Sequence, residues 1–466
     1  MQEFNAKYML FLSAVAALGG FLFGYDTAVI SGTISQVVAQ FSLDSMQQGW
    51  YVGCALIGSI AGVAVAGYLS DNLGRKYTML LSAVLFTVSA VGCTVCNNMM
   101  ELDIYRIIGG AGIGIVSIVS PLYISEVSAA KNRGSMVILY QLAITVGFLF
   151  AYLVNYALLG FADNAANLPS PALVKIFHTE VWRGMLGMET LPALLFFLII
   201  FFIPDSPRWL ILKKREEKAK LTLLRIFGAE KIVEKEFKAT KEAASKEIKS
   251  EWSALLRPDI LKAIIVGSSI AILGQFMGVN AVLYYGPTIF EENGLSSGDS
   301  LFYQVMVGLA NTIATVIAIW LIDRAGRKKL IYWGVSAMII FLLLIAFFFL
   351  WGKDIGLPPV TLLVFFMAYV FSCAISICAV IFVLLSEMYP IKVRGLAMSI
   401  AGLSLWVGTY LVGQLTPWLL ETLQPAGTFT LFALVCVPYM LIMWRCVPDT
   451  KGKSLEEIEK MWEKTE

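Results

Sequence analysis

Long uninterrupted apolar runs dominate the chain. Twelve of them approach or exceed the roughly 20 residues that a helix needs to cross the hydrocarbon core of a bilayer. They occupy 8–32, 48–70, 77–97, 102–126, 135–159, 184–203, 261–290, 301–322, 330–351, 360–386, 396–420 and 427–447. Their apolar residues are continuous rather than alternating, and backbone groups inside lipid must be paired internally. The pattern therefore predicts an all-α membrane protein with twelve transmembrane helices.

The distribution of charge divides these helices into two groups of six. Hydrophobic residues make up 58% of the chain and charged residues 15%, whereas a typical soluble chain has about 45–50% and about 25%. Charges concentrate in 204–258, with helical patterning, while 29–65 contains one charged residue, Asp44. We predict an N-terminal six-helix bundle over 1–203, a linker of short surface helices over 204–258, a C-terminal six-helix bundle over 259–447 and a tail over 448–466.

Basic residues in the short loops predict the orientation of the chain in the membrane. With the N-terminus inside, the short inner loops carry ten Lys and Arg residues and the outer loops carry three. Cytoplasmic loops of membrane proteins carry an excess of these residues. Both termini and the linker are therefore predicted to be cytoplasmic, in a multi-pass protein of the cell inner (plasma) membrane.

Two different charged motifs recur in the two halves. The sequence DNLGRK at 71–76 returns as DRAGRK at 323–328, and a Glu precedes an Arg by seven residues at 126 and 133 and again at 387 and 394. This recurrence predicts a duplication that gives two pseudo-symmetric bundles, an architecture that supports alternating access. Basic residues that merely fix the topology would leave the acidic partners unexplained. We interpret the motifs as cytoplasmic charge clamps formed by Asp71, Arg75, Glu126, Arg133, Asp323, Arg327, Glu387 and Arg394.

Three ionisable residues lie inside predicted spans: Asp26, Arg106 and Glu189. A charged group at the centre of a bilayer costs at least about 2.5–3.5 kcal/mol, so such residues are candidates for function. The topology places all three at a similar depth toward the outer side. A carboxylate gains or loses affinity for a proton when a neighbouring Arg moves. We interpret Asp26 as the proton carrier, Arg106 as its partner and Glu189 as a modulator; the alternative is a static ion pair that only fixes helix packing.

The sequence shows no residue pattern that is typical of an enzyme active site. His178 is the only histidine, and we find no nucleophile–histidine pair, metal-binding cluster or phosphate-binding loop. No metal or other cofactor is expected.

Three longer motifs resemble those of the sugar porter family of the major facilitator superfamily. They are FGYDTAVISG at 23–32, PDSPRWL at 204–210 and PDTKGKSLEE at 448–457. Essentially the whole chain resembles bacterial xylose–proton symporters and animal facilitative glucose transporters. Facilitators have Asn at the position of Asp26, so this residue favours proton symport.

A sugar requires amide side chains for its hydroxyls and an aromatic platform for its apolar faces. Together with the resemblance, this points to a substrate site and a helix 7 gate. The predicted substrate residues are Gln141, Gln275, Asn280, Asn311, Trp406, Phe382 and Phe23, and the predicted gate residues are Tyr284 and Tyr285. Gly274, Gly278 and the Gly286-Pro287 pair predict that helix 7 is broken. Isolated amides that only hold helices together are the alternative.

The chain departs from the family pattern at several pocket positions. Gly274 stands where the family has a first Gln, Leu405 replaces an amide, Phe382 replaces a Trp, and Cys378-Ala379 replaces Gly-Pro. The expected substrate is therefore a pentose or hexose whose hydroxyls differ in number or placement from those of glucose.

The predicted function is import of a monosaccharide with protons by alternating access. A facilitative sugar or cyclitol uniporter is the main alternative, and a transporter-like sugar sensor is a weaker one. The expected partners are the sugar, protons and membrane lipid; no nucleic acid is expected, and the protein is predicted to be a monomer.

Overall fold

A computed structural model of the protein describes residues 5–129, 133–245, 257–389 and 393–447. Twenty α-helices account for most of these residues. They are α1 (Ala6–Val29), α2 (Ile34–Phe41), α3 (Ser45–Leu73), α4 (Arg75–Val95), α5 (Met99–Val127), α6 (Arg133–Phe161), α7 (Pro171–Val174), α8 (Val181–Gly187), α9 (Thr190–Ile200), α10 (Pro207–Leu212), α11 (Glu216–Phe227), α12 (Glu230–Ser245), α13 (Pro258–Phe276), α14 (Val279–Glu292), α15 (Ser297–Ala325), α16 (Arg327–Trp351), α17 (Pro359–Cys373), α18 (Ala379–Met388), α19 (Arg394–Thr422) and α20 (Gln424–Arg445).

The twelve predicted transmembrane spans are confirmed. Among the described residues, twelve stretches are long and apolar enough to cross a bilayer, and each corresponds to one of the predicted runs. Nine consist essentially of one α-helix, and three combine two: α8 with α9, α13 with α14, and α17 with α18. In the last of these, a π-helical turn at Ala374–Cys378 lies between the two helices. The described residues contain no β-strand.

The helices group into two compact units. The first contains Met1–Val29 and Cys54–Ile248, and the second contains Ile30–Gly53 and Lys249–Glu466. In the first unit α1 packs on α5 and α6, and α4 packs on α5 and α9. In the second unit α13 packs on α19, α16 packs on α17 and α20, and α14 packs on α15. The second unit also includes α2, which contacts α14.

The predicted linker helices are present as α10, α11 and α12. Ser206 caps α10 by accepting a hydrogen bond from the Trp209 amide, and Gly228 ends α11 in a left-handed conformation. The remainder of the linker at 246–256 and the predicted tail at 448–466 lie outside the described residues.

The predicted break in helix 7 occurs at Gly278. This residue separates α13 from α14 with φ = +87°, a conformation that only glycine adopts readily. A Cβ atom here would lie 2.3 Å from the Phe432 ring, so the neighbouring α20 also excludes a side chain. The break divides the span into two helices, and the second carries Asn280, Tyr284 and Tyr285.

Gly278→Ala is therefore expected to destabilise the fold by about 2 kcal/mol or more, through left-handed strain and overpacking. Gly274→Ala is the matched control, because its Cβ would be 3.4 Å from the nearest atom, an ordinary contact. We expect thermal unfolding of the purified protein to show a lowered Tm for Gly278→Ala and an almost unchanged Tm for Gly274→Ala. Equal Tm values for the two variants would contradict the assignment.

Candidate functional site

Asp26 and Arg106 form a buried ion pair in the first unit. Asp26 lies on α1 and Arg106 on α5, and their exposed fractions are 0% and 3%. The Arg106 Nη1 donates to Asp26 Oδ1 and lies 3.4 Å from the backbone oxygen of the same residue. Burying two charges is unfavourable unless they are paired, and removing one partner leaves an uncompensated charge. The pairing expected from the sequence is therefore present.

Glu189 adds a second buried carboxyl to this pair. It lies at the junction of α8 and α9 and is 2% exposed. Electrostatic interactions link it to both Asp26 and Arg106. Across the described parts of the chain, no hydrogen-bond partner is found for Glu189 Oε1 or for Asp26 Oδ2. Two carboxyls thus share the environment of one guanidinium.

Three helices of the second unit contribute to a small polar cluster. Gln275 Oε1 accepts a hydrogen bond of 2.9 Å from Asn280 Nδ2 and one of 3.0 Å from Thr409 Oγ1. These residues lie on α13, α14 and α19, and each is buried or half-buried. The cluster bridges the break at Gly278. It places two of the predicted substrate residues, Gln275 and Asn280, in direct contact.

The other predicted substrate residues are distributed over both units. Trp406 is buried on α19 one turn before Thr409, and Asn311 is buried on α15. Phe382 lies on α18 and is 49% exposed. Gln141 on α6 and Phe23 on α1 are half-buried and belong to the first unit.

The two predicted gate residues are buried on α14. Tyr285 is fully buried, and its hydroxyl donates a 2.6 Å hydrogen bond to the carbonyl of Gly413 on α19. Tyr284 is 2% exposed. Tyr285 thus ties the second half of helix 7 to α19.

An Arg–Glu contact of the predicted clamps is present in each unit. In the first unit Arg75 contacts Glu126 through two 3.0 Å hydrogen bonds, and it also contacts Asp71 at 3.2 Å. In the second unit Arg327 contacts Glu387 at 3.0 Å. The side chains of Arg133, Asp323 and Arg394 lie outside the described residues.

Comparison with known proteins identifies the family. A family model described as "Sugar (and other) transporter" matches residues 12–462. The chain is 35% identical to the arabinose-proton symporter of Bacillus subtilis, covering 98% of this chain and 95% of that protein. It is 34% identical to the D-xylose-proton symporter of Escherichia coli, covering 99% and 97%. The inward open structure of the xylose transporter XylE from E. coli matches with a TM-score of 0.83 and 33% identity, covering 98% of this chain and 100% of that one.

The chain belongs to the sugar porter family of the major facilitator superfamily. The resemblance based on the three motifs and the predicted fold class are confirmed. The twelve spans and the bacterial relatives also make this sugar porter a multi-pass protein of the plasma membrane.

Several polar residues of this sugar porter were missed by reasoning from the sequence. Thr409 is one, although its spacing of three from Trp406 puts both on one helix face. Gln304 and Gln414 are others: they are amides within spans, the same signal that selected Gln141 and Asn311. Gln414 donates to the Met46 carbonyl at 2.9 Å, and both residues belong to the second unit.

Asp205 is a further residue whose role the motif alone did not reveal. Its carboxylate accepts a 3.1 Å hydrogen bond from the Lys76 amide, at the N-terminus of α4. Helix N-termini stabilise negative charge. Burial raises the pKa of the Asp205 carboxyl, and the Lys76 amide and ammonium oppose that rise. The PDSPRWL motif is thus joined to the DNLGRK motif of the same unit.

The two clamps are expected to differ in strength. The side chains of Arg75 and Glu126 are 5% and 4% exposed, whereas those of Arg327 and Glu387 are 19% and 23% exposed. Glu126→Gln should destabilise the protein by about 3 kcal/mol, because it breaks a buried pair. Glu387→Gln should cost about 1 kcal/mol, because water screens that pair more strongly. Thermal unfolding of the two isosteric variants checks this order, and a larger loss for Glu387→Gln would refute it.

Proposed function

We propose that this sugar porter couples proton influx to the uptake of a monosaccharide, a pentose or hexose, by alternating access. The observation that carries the proposal is the buried trio of Asp26, Arg106 and Glu189. The relatives described above include proteins named as arabinose-proton and D-xylose-proton symporters. Others are named as a glucose transporter and a galactose-proton symporter.

The trio supplies a proton site through charge balance. If both carboxyls were ionised, the group would carry one uncompensated negative charge in a medium of low dielectric, which is unfavourable. A proton cancels that charge. Protonation of Asp26 also removes its attraction for Arg106, so it loosens the contact between α1 and α5. Protonation of Asp26 can therefore alter the relative free energies of the conformations that alternate during transport.

The Gln275–Asn280–Thr409 cluster supplies hydrogen bonds for sugar hydroxyls. Each amide can both donate and accept. Because the cluster spans the break in helix 7, a sugar that contacts Asn280 also contacts the segment that carries the gate tyrosines. Sugar binding and gate closure would then involve the same helix, α14. Gln141, Asn311, Phe23, Phe382 and Trp406 are proposed to complete the site, and Gly274 and Leu405 reduce the number of amides available.

We also propose a membrane topology and an oligomeric state for this sugar porter. We place both termini and the linker helices α10–α12 in the cytoplasm, with 1–203 and 259–447 as the two bundles, and we propose a monomer surrounded by lipid. On that orientation the clamps at Arg75 and Arg327 lie at the cytoplasmic ends of the bundles. There they would hold helices together while the substrate site faces outward.

Asp26→Asn is expected to abolish accumulation driven by a proton gradient, because Asn cannot carry the proton. Exchange of labelled for unlabelled sugar across the membrane should persist, since the substrate site is intact. Asp44→Asn is the matched control: it makes the same change at an exposed helix start and retains a capping oxygen. Uptake into proteoliposomes with and without an imposed pH gradient measures both, for a panel of pentoses, hexoses and cyclitols.

Concentrative uptake that persists unchanged in Asp26→Asn would exclude Asp26 as the coupling residue. If the unaltered protein only equilibrates a sugar across the membrane, the protein is a uniporter. No uptake of any sugar by the unaltered protein would contradict the proposed substrate class.

Asn280→Ala is expected to raise the KM for the sugar by roughly tenfold or more, because a buried hydroxyl would lose its partner. The control is Asn293→Ala, at the end of the same helix, where the Asn293 side-chain amide donates to the Ile289 carbonyl one turn earlier. Initial rates of uptake over a range of sugar concentrations give both values. Equal KM values for the two variants would remove Asn280 from the site.

A further inference from the structure

The second half of helix 7 contains a proline that interrupts its hydrogen bonding. Pro287 lies within α14 and has no amide hydrogen. The carbonyl of Leu283, four residues earlier, therefore cannot receive the usual hydrogen bond from residue 287. Within a membrane span, water is not available to satisfy such a carbonyl, so a neighbouring group has to do so.

Gln304 on α15 supplies the missing donor. Its side chain is fully buried, and Nε2 donates a 3.0 Å hydrogen bond to the Leu283 carbonyl, with the Val282 carbonyl 3.4 Å away. A carbonyl oxygen can only accept, so the NH2 end of the amide makes the contact, and within the described chain Gln304 Oε1 has no hydrogen-bond partner.

The adjacent Gly286 makes this contact possible. A Cβ atom on Gly286 would lie 2.1 Å from Gln304 Oε1, which is far inside the van der Waals limit. A glycine, a proline and a glutamine on two helices thus form one arrangement. The glycine admits the amide, the proline removes the internal donor, and the glutamine replaces it.

The bond acts on the segment that carries the proposed substrate and gate residues. Leu283 lies between Asn280 and the tyrosine pair, and the break at Gly278 separates the segment from α13. Because Pro287 also lacks a backbone donor, about two helical turns between Gly278 and Pro287 would lack some of the backbone hydrogen bonds of a continuous helix. Gln304 connects this segment to α15, which continues to Asn311.

We propose that Gln304 is a positioning residue that replaces the donor lost at Pro287 and so fixes the segment of Asn280, Tyr284 and Tyr285 against α15. The roles of Asn280, Tyr284 and Tyr285 rest on the function proposed above, whereas the hydrogen bond from Gln304 to Leu283 does not. A glutamine that only joined two helices would act independently of Pro287. A replacement donor acts only while Pro287 is present, and this difference can be measured.

The experiment is a double-mutant cycle of Gln304→Leu and Pro287→Ala. Alanine at 287 restores an amide hydrogen for the Leu283 carbonyl, so Gln304 becomes dispensable. In the natural background Gln304→Leu should raise the sugar KM by roughly tenfold and change Vmax less. In the Pro287→Ala background the same change should have little effect. Ser300→Ala is the matched control, one turn earlier on the buried side of α15, and should resemble the unaltered protein.

Hydrogen exchange of the α14 amides, measured without sugar, provides a readout that does not require transport. Gln304→Leu should accelerate exchange after residue 283 by roughly tenfold, and the double variant should match Pro287→Ala alone. Additive effects in the two backgrounds, or unchanged exchange in Gln304→Leu, would overturn the proposal. If no sugar is transported, the proposed function fails while the exchange measurement still decides the role of Gln304.

Poor folding of Gln304→Leu would also be informative. Recovery of the double variant from membranes, where Gln304→Leu alone is not recovered, supports the replacement of a donor. Recovery of Pro287→Ala together with loss of the double variant contradicts it, because Gln304 would then be needed for another reason.

Discussion

The buried ion pair between Asp26 and Arg106 is the interaction on which the account of this sugar porter depends. Each charge alone would be costly inside the membrane, and each is tolerated because the other is present. The pair joins α1 to α5, and Glu189 brings a second carboxyl from the junction of α8 and α9. One guanidinium therefore balances only one of two carboxyls. In the function proposed above, this imbalance favours binding of a proton, and loss of the ion pair on protonation changes the contact between α1 and α5.

The second unit contains a helix whose backbone hydrogen bonding is interrupted at two positions. Gly278 separates α13 from α14, and Pro287 interrupts the hydrogen bonds of α14. The segment between them carries Asn280 and the two tyrosines proposed as the gate. Hydrogen bonds to other helices hold it: the Asn280 amide donates to Gln275, which also accepts from Thr409, and the Tyr285 hydroxyl donates to the Gly413 carbonyl. A segment that depends partly on side-chain hydrogen bonds can change position when a sugar competes for those bonds.

Much of this architecture was predictable from the sequence because lipid imposes strict rules. The lengths of the apolar runs predicted the twelve spans, and Gly278 predicted the break in helix 7 that the structure contains. Charge inside the spans identified Asp26, Arg106 and Glu189, since such residues are rarely present without a role. The recurring motifs predicted contacts that are seen as Arg75 with Glu126 and Arg327 with Glu387. The contacts of Gln304 and Asp205 were not predictable, because each bonds to a backbone group that no side-chain pattern marks, and neither was the contact of Thr409 with Gln275 on another helix. The interruption of helix 6 at Glu189 was also missed, since its apolar run gives no sign of it.

The central claim is that sugar and proton move together through this protein. The most direct test is the proton flux that accompanies downhill sugar movement, measured with a pH indicator outside proteoliposomes that contain the unaltered protein. Adding a transported sugar outside, with no initial pH gradient, should make the external medium more alkaline as the sugar enters, and a proton-permeable ionophore should abolish the change. Sugar uptake with no change in external pH would contradict the account.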